Sequence, residues 1–242
     1  MSSGVSALPK QSLQQQMYEL TDASIAQRVT LATLLGGCVV LALWLLFGGA
    51  AAVGTWFGRR WALGDFARRA CLAGAFSIYL IRVLFTEFVF LKRGVSWTEV
   101  FSIAPWVCFI FVLMSISGGT NPAGFGAVAI TGVVLFVIGS WMNSHAEHQR
   151  NKWKQRPQNR GKLYTEGLFR YSRHPNYFGD LISFSGICLL TGRWFTGIVP
   201  VVMLCGFVFA NIPVLDAHLR QHYGPAFDEY AKKTKKLVPF IY

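Results

Sequence analysis

The chain has 242 residues, 53% of them hydrophobic and only 14% charged, and carries a formal net charge of +12. This composition excludes a soluble globular domain and fits one polytopic membrane domain. The positive residues cluster between apolar runs, so they read as membrane-flanking charge and as ligands for cofactor phosphates; no nucleic-acid partner is expected, because no basic face lies clear of the bilayer. The five cysteines, Cys38, Cys71, Cys108, Cys188 and Cys205, all lie in or beside apolar stretches without a C-x-x-C pair and read as small buried hydrophobes.

In chain order, residues 1–28 form a polar tail without an apolar signal core, with room for a short surface helix around Leu13 to Leu20. Val29 to Val53 is an uncharged run longer than the roughly 20 residues a span requires. Arg59, Arg60, Arg68 and Arg69 follow, with Trp56 and Trp61 among them, as in a segment at the membrane surface. Ala70 to Leu91 is a second span carrying Arg82 and Glu87; five residues apart on one helix, these point roughly 140° away from each other, so each needs another partner. Val100 to Ser117 is a third span, the uncharged Gly118–Pro122 a turn, and Ala123 to Asn143 a fourth span that runs into a polar helix with His145, Glu147, Arg150, Lys152 and Lys154. Tyr177 to Thr191 is a short fifth span and Trp194 to Leu215 a sixth, before a basic, amphipathic tail. The expected fold is all-α, a bundle of five to six transmembrane helices with a polar C-terminal cofactor-binding region, divided into a tail (1–28), N-terminal transmembrane helices (29–143) and a C-terminal domain (144–242). Placing the 144–175 loop and the tail on the positive side leaves the four arginines between Arg59 and Arg69 on the wrong side. Either that segment lies in the interface or the second span fails to cross.

One decapeptide organises the rest: Tyr171-Ser172-Arg173-His174-Pro175-Asn176-Tyr177-Phe178-Gly179-Asp180. Pro175 suits the first position of a helix, where its missing N–H costs nothing. A helix N-terminus attracts anions, and Arg173 and His174 stand beside it. Asn176, Asp180 and Ser183 recur at helical spacing as a polar seam on a lipid-grade helix. Gly179, Ser183 and Gly186 make a smooth stripe for a close neighbour. His145 and His148 share a helix face, but no third ligand has convincing spacing, and no metal site is expected.

The segment Gly167 to Asp180 resembles the signature of a membrane reductase family: it is similar to the C-terminal domain of steroid 5α-reductases and to sterol reductases, in a superfamily shared with isoprenylcysteine carboxyl methyltransferases. Asp216, His218, Tyr223-Gly224, Tyr230 and the ending Val238-Pro239-Phe240-Ile241-Tyr242 carry the resemblance into the tail. It covers about the last 100 residues; the first 120 or so match in hydropathy alone. An acidic residue after Gly179, here Asp180, is the reductase form. The resemblance implies NADPH-dependent reduction of a carbon–carbon double bond in a sterol-like or isoprenoid lipid. Arg150, Arg170, Arg173, His174, Asn176, Tyr177, Asp180, Tyr223 and Tyr230 are the expected cofactor residues. A conjugated enone also needs a proton donor, and Glu87 and Tyr79 are the catalytic candidates in the N-terminal half. The alternatives are S-adenosylmethionine-dependent methyl transfer, and a non-catalytic subunit of a larger membrane complex that keeps the fold. The expected setting is the endoplasmic reticulum membrane by resemblance, with the mitochondrial inner membrane as the alternative.

Overall fold

A computed structural model describes residues 24–242, and the expected surface helix around Leu13 to Leu20 lies outside them. Among the described residues the chain is 78% helical and has no strand. Its long helices are α1 (Ile25–Trp56), α2 (Phe66–Phe90), α3 (Trp97–Gly119), α4 (Ala127–Lys154), α5 (Pro175–Thr191) and α6 (Trp194–Tyr223), followed by the short α7 (Pro225–Lys233). All of them but α5 and α7 are long and apolar enough to cross a bilayer, so the protein is an integral, multi-pass membrane protein. Large apolar side chains such as Val40, Ile81, Phe109, Val137 and Phe209 are exposed around the bundle, as a lipid-facing surface requires.

Successive helices run up and down, and the contacts at their ends show which ends share a face. Arg28, in the first turn of α1, donates to the carbonyl oxygens of Glu87, Leu91 and Arg93 at the end of α2. Beside it the Ser24 hydroxyl accepts from the Val95 N–H at 2.7 Å. A capping box between Ser96 and Glu99 starts α3 on this same face. Here too α4 ends, α5 begins and α6 ends, among most of the lysines and arginines; this is the basic face.

On the opposite face two of the four conflicting arginines, Arg68 and Arg69, are drawn inward, while Arg59 and Arg60 stay exposed on the connecting segment. Helix α2 spans 25 residues, so the second span crosses. Its Arg68 is no interfacial flank: it is buried, and its guanidinium donates to the carbonyl oxygens of Leu190 (2.5 Å), Ala123 (3.2 Å) and Gly124 (3.1 Å). One cation thus ties a buried carbonyl at the end of α5 to two in the exposed α3–α4 turn. Asn121 completes the joint by donating to the Thr191 carbonyl oxygen at 2.9 Å. Arg69 serves the kink in α1. Gly48 adopts φ +143° there, the helix breaks, and Arg69 donates to the Leu46 carbonyl oxygen at 3.4 Å while lying over the rings of Phe47 and Phe66.

The tightest crossing is α4 on α5. A methyl group at Gly132 would stand 2.6 Å from the Gly186 carbonyl oxygen, and one at Gly179 would stand 2.7 Å from that of Gly139. The small-residue stripe expected on α5 therefore meets a matching one on α4, and the two backbones touch. This contact carries the polar C-terminal part of α4 past the first turn of α5, where the decapeptide lies. Gly139→Val should lower stability in detergent by about 1–3 kcal/mol through overpacking. Gly36→Ala, at a helical position with no atom within 4 Å of an added β-carbon, should leave it unchanged or slightly higher. Thermal unfolding of the two variants checks the contrast, and equal melting temperatures would refute the crossing.

Candidate active site

The decapeptide is held from both sides. The Arg173 N–H donates to the Lys235 carbonyl oxygen at 2.8 Å and the Ser172 hydroxyl to that of Leu237 at 2.7 Å, so the C-terminal tail runs alongside it. Arg173 donates to Asp216 at 2.5 Å and to the carbonyl oxygens of Ala231 and Thr234, both at 3.2 Å. His174 Nε2 lies 2.9 Å from the other Asp216 oxygen. The side chains of Arg173 and His174 are only 7% and 2% exposed. The sequence reading puts both on a cofactor phosphate; in the structure they are instead clasped by Asp216 of α6. That carboxylate was legible only as one residue of a tail pattern. The signal that could have found it is chemical: an acid at the end of an apolar span needs cations, and Arg173 and His174 are two that the chain offers on one short segment.

From this clasp the first turn of α5 projects. Tyr177 is sandwiched, its ring 5.4 Å from His174 and 4.6 Å from Phe207 of α6, both nearly parallel. Asn176 turns toward α4: its side-chain amide donates to Glu147 Oε1 at 3.2 Å, while its carbonyl oxygen accepts from Asn143 at 3.0 Å. Glu147 is ion-paired with Arg150 one turn on. The polar faces of α4 and α5 thus form one network, Asn143–Asn176–Glu147–Arg150.

This network walls a polar chamber of about 600 Å³ on the basic face. Its other walls include Glu87 of α2, Glu99 at the start of α3, Lys154 of α4, Tyr177 and His218 of α6. Glu99 is ion-paired with Arg93 at 2.5 Å. Glu87 Oε2 is enclosed and has no hydrogen-bond partner. A narrow extension of about 60 Å³ shares Arg150, Lys154 and Asn176 with the chamber and reaches Tyr223 and Tyr230. The Tyr223 hydroxyl oxygen accepts from Lys154 at 3.3 Å, and Tyr230 donates to the Phe169 carbonyl oxygen at 2.6 Å. Burial pushes the Tyr230 phenol well up, so it stays protonated and keeps donating.

An apolar chamber of about 470 Å³ adjoins the polar one at Ile103, which lines both. It is bounded by Tyr79, Trp106, Asp180, Phe184, Met203 and Phe207. Asp180 Oδ1 accepts from Arg82 of α2 at 2.7 Å, which answers the question of Arg82's partner. Tyr79 packs edge-on to Phe111 and Phe184, with Arg82 above its ring at 5.3 Å.

The expected residues therefore divide. Glu87, Arg150, Asn176 and Tyr177 meet at the polar chamber; Tyr223 and Tyr230 flank its extension, with Arg173 and His174 on the wall behind. Tyr79 and Asp180 belong to the apolar chamber, so the two proton-donor candidates stand in different chambers. Arg170 is exposed on a short turn and lines none of these spaces. Asp216→Ala should cost about 3–5 kcal/mol, the penalty for stranding buried charge, and should loosen the C-terminal tail. Denaturant unfolding and protease sensitivity after residue 216 check this; native-like behaviour of the variant would refute the clasp.

Residues 90–234 match the family described as "protein of unknown function (DUF1295)". The probable O-methyltransferase ustE of Ustilaginoidea virens is 34% identical over 124 residues, 48% of this chain and 43% of its own length. The 3-oxo-5-alpha-steroid 4-dehydrogenase 1 of Rattus norvegicus is 31% identical over 117 residues, 46% of this chain and 41% of its own length. Protein-S-isoprenylcysteine O-methyltransferase B of Arabidopsis thaliana is 33% identical over 88 residues, 36% of this chain and 45% of its own length. The chain thus spans less than half the length of each of these relatives. The match takes in α3 to α7, the helices that carry the Asp216 clasp and the Asn176 network, and the chain belongs to the DUF1295 family, within the membrane superfamily that includes steroid 5α-reductases and isoprenylcysteine methyltransferases.

Proposed function

We propose that this protein is an NADPH-dependent reductase of a carbon–carbon double bond in a sterol-like or isoprenoid lipid. The observation that carries the reading is the meeting, at Ile103, of a polar chamber on the basic face with an apolar chamber among the helices. Both volumes lie in the range of cofactor and ligand sites, roughly 300–1,000 Å³. One chamber suits a charged dinucleotide, the other a lipid ring or chain.

The donor set fits the dinucleotide. Glu99 and Glu147 are each neutralised by an arginine, which leaves Lys92 and Lys154 to meet phosphates. The Asn176 amide, fixed by Glu147, offers the geometry for a nicotinamide carboxamide, and Tyr177 offers a held aromatic edge beside it. Tyr223 and Tyr230 flank the narrow extension, where a nucleotide end would enter. Arg173 and His174 act through position, holding the first turn of α5 in place. Bound NADPH supplies a hydride to the substrate carbon.

The remaining chemistry falls to the protein. Tyr79 stands in the lipid chamber and can donate a hydrogen bond, then a proton, to a substrate carbonyl oxygen conjugated with the double bond. Glu87, the other donor candidate, stands in the polar chamber, and the proton that Tyr79 gives up is replaced from solvent between turnovers. Asp180 holds Arg82 through one oxygen and keeps the other for a guest.

The methyltransferase reading draws on the names of two of the relatives above. S-adenosylmethionine carries a sulfonium cation and no phosphate, so the basic rim of the polar chamber favours the dinucleotide. Titration of the purified protein with NADPH and with S-adenosylhomocysteine separates the two. NADPH should raise the melting temperature, by the equivalent of about 2.7 kcal/mol at a hundredfold excess over its dissociation constant. Asn176→Ala should weaken NADPH affinity at least tenfold, which cuts that stabilisation to about half or less, and Asp180→Ala should abolish lipid-stimulated NADPH oxidation. Stabilisation by S-adenosylhomocysteine alone would overturn the reductase reading.

A further inference from the structure

A third cavity, about 390 Å³, lies between α2 and α4 and serves neither chamber. Its wall on α2 includes Ile78, Ile81, Arg82 and Phe85, and its wall on α4 includes Ser140, Ser144 and His148. The groove begins near the basic face, at Phe90 and His148. It runs down α2 to Ile78, a rise of about 18 Å, or roughly half the hydrocarbon core. That is the depth one leaflet gives a single hydrocarbon chain.

Its lining is otherwise apolar, apart from small hydroxyls and the His148 imidazole at the upper end, yet it contains a cation. The Arg82 side chain is 9% exposed, its Nη2 is spent on Asp180, and its Nη1 is enclosed with no hydrogen-bond partner. Plain hydrocarbon in the groove would leave that donor unsatisfied in a medium without water. A chain bearing an acceptor oxygen would satisfy it after a small side-chain shift. The Arg82–Asp180 pair is then a partition with the groove on the Arg82 side and the apolar chamber on the Asp180 side. Thr86 and Phe90 line both the groove and the polar chamber, so a head group at the upper end would stand one side chain from that chamber.

We infer that the α2–α4 groove is a lipid-binding site, for a single aliphatic or isoprenoid chain carrying a carbonyl or carboxylate oxygen, with Arg82 as its hydrogen-bond donor. The inference stands apart from the identity of the cofactor, and its test needs no turnover. Purified full-length protein in detergent is incubated with radiolabelled palmitate, 2-heptadecanone or hexadecane, and chain retained after gel filtration is counted. Palmitate or the ketone should be retained at least tenfold better than hexadecane; the better of the two identifies the oxygen as carboxylate or carbonyl. Arg82→Gln should remove the preference. Ser144→Trp fills the groove from the α4 side, leaves the Arg82 residue in place and should reduce retention at least tenfold, while the NADPH-induced melting shift stays as in the unaltered protein. Equal retention of all three chains, or undiminished retention in Ser144→Trp, would overturn the site. Loss of the NADPH shift in the unaltered protein would bear on the cofactor reading and leave this one standing.

Discussion

Asp216 is the point on which the rest of the structure hangs. A single carboxylate, where α6 passes from apolar to polar sequence, binds Arg173 with one oxygen and His174 with the other. Through Arg173 it also gathers the carbonyls at the end of α7, and through the backbone beside it the C-terminal strip from Lys235 to Leu237. Three segments distant in sequence are thereby fixed to the first turn of α5. A buried charge is costly alone and becomes tolerable when partners surround it, and here both Asp216 oxygens and both terminal nitrogens of Arg173 are engaged, Arg173 Nε alone lacking an acceptor. The Asn176–Glu147 contact, the Tyr177 sandwich and the extension at Tyr223 and Tyr230 all inherit their geometry from that joint.

Two other buried guanidiniums work on the same principle. Arg68 closes the face opposite the chambers by tying a carbonyl at the end of α5 to two in the α3–α4 turn. Arg82 meets Asp180 in mid-bundle and separates spaces of different use. Arginine suits these places because it keeps its charge, and at Arg68 its planar fork serves three carbonyls at once. The chain concentrates positive charge on one face for orientation, but it invests these arginines inside. Counting charges by loop therefore misled the topology reading at the second span.

Much of the fold was legible in the letters. Hydropathy located the spans to within a few residues, although α1 begins at Ile25 rather than Val29. The Pro175 start of α5 and the small-residue stripe of Gly179, Ser183 and Gly186 followed from local chemistry, and both are present. The partner stripe on α4, at Gly132 and Gly139, was not read, because two glycines among many in apolar helices carry no mark of which face they occupy. The site was legible in part. Polar residues on α4 and α5 at helical spacing announced a shared face, but whether a cation serves a guest or a neighbouring carboxylate depends on a partner dozens of residues away.

What the sequence determined by itself was whatever depends on a residue and its near neighbours: apolar length, helix starts, the need of every membrane ionisable group for a partner, and the family signature around His174 and Pro175. The tertiary structure alone decided who those partners are. Arg82 took Asp180, Arg173 and His174 took Asp216, and Arg68 took backbone carbonyls. The physical reason is that in hydrocarbon the demand for pairing is set locally by desolvation, whereas its satisfaction is set by which helix faces pack together, and packing is a property of the whole bundle.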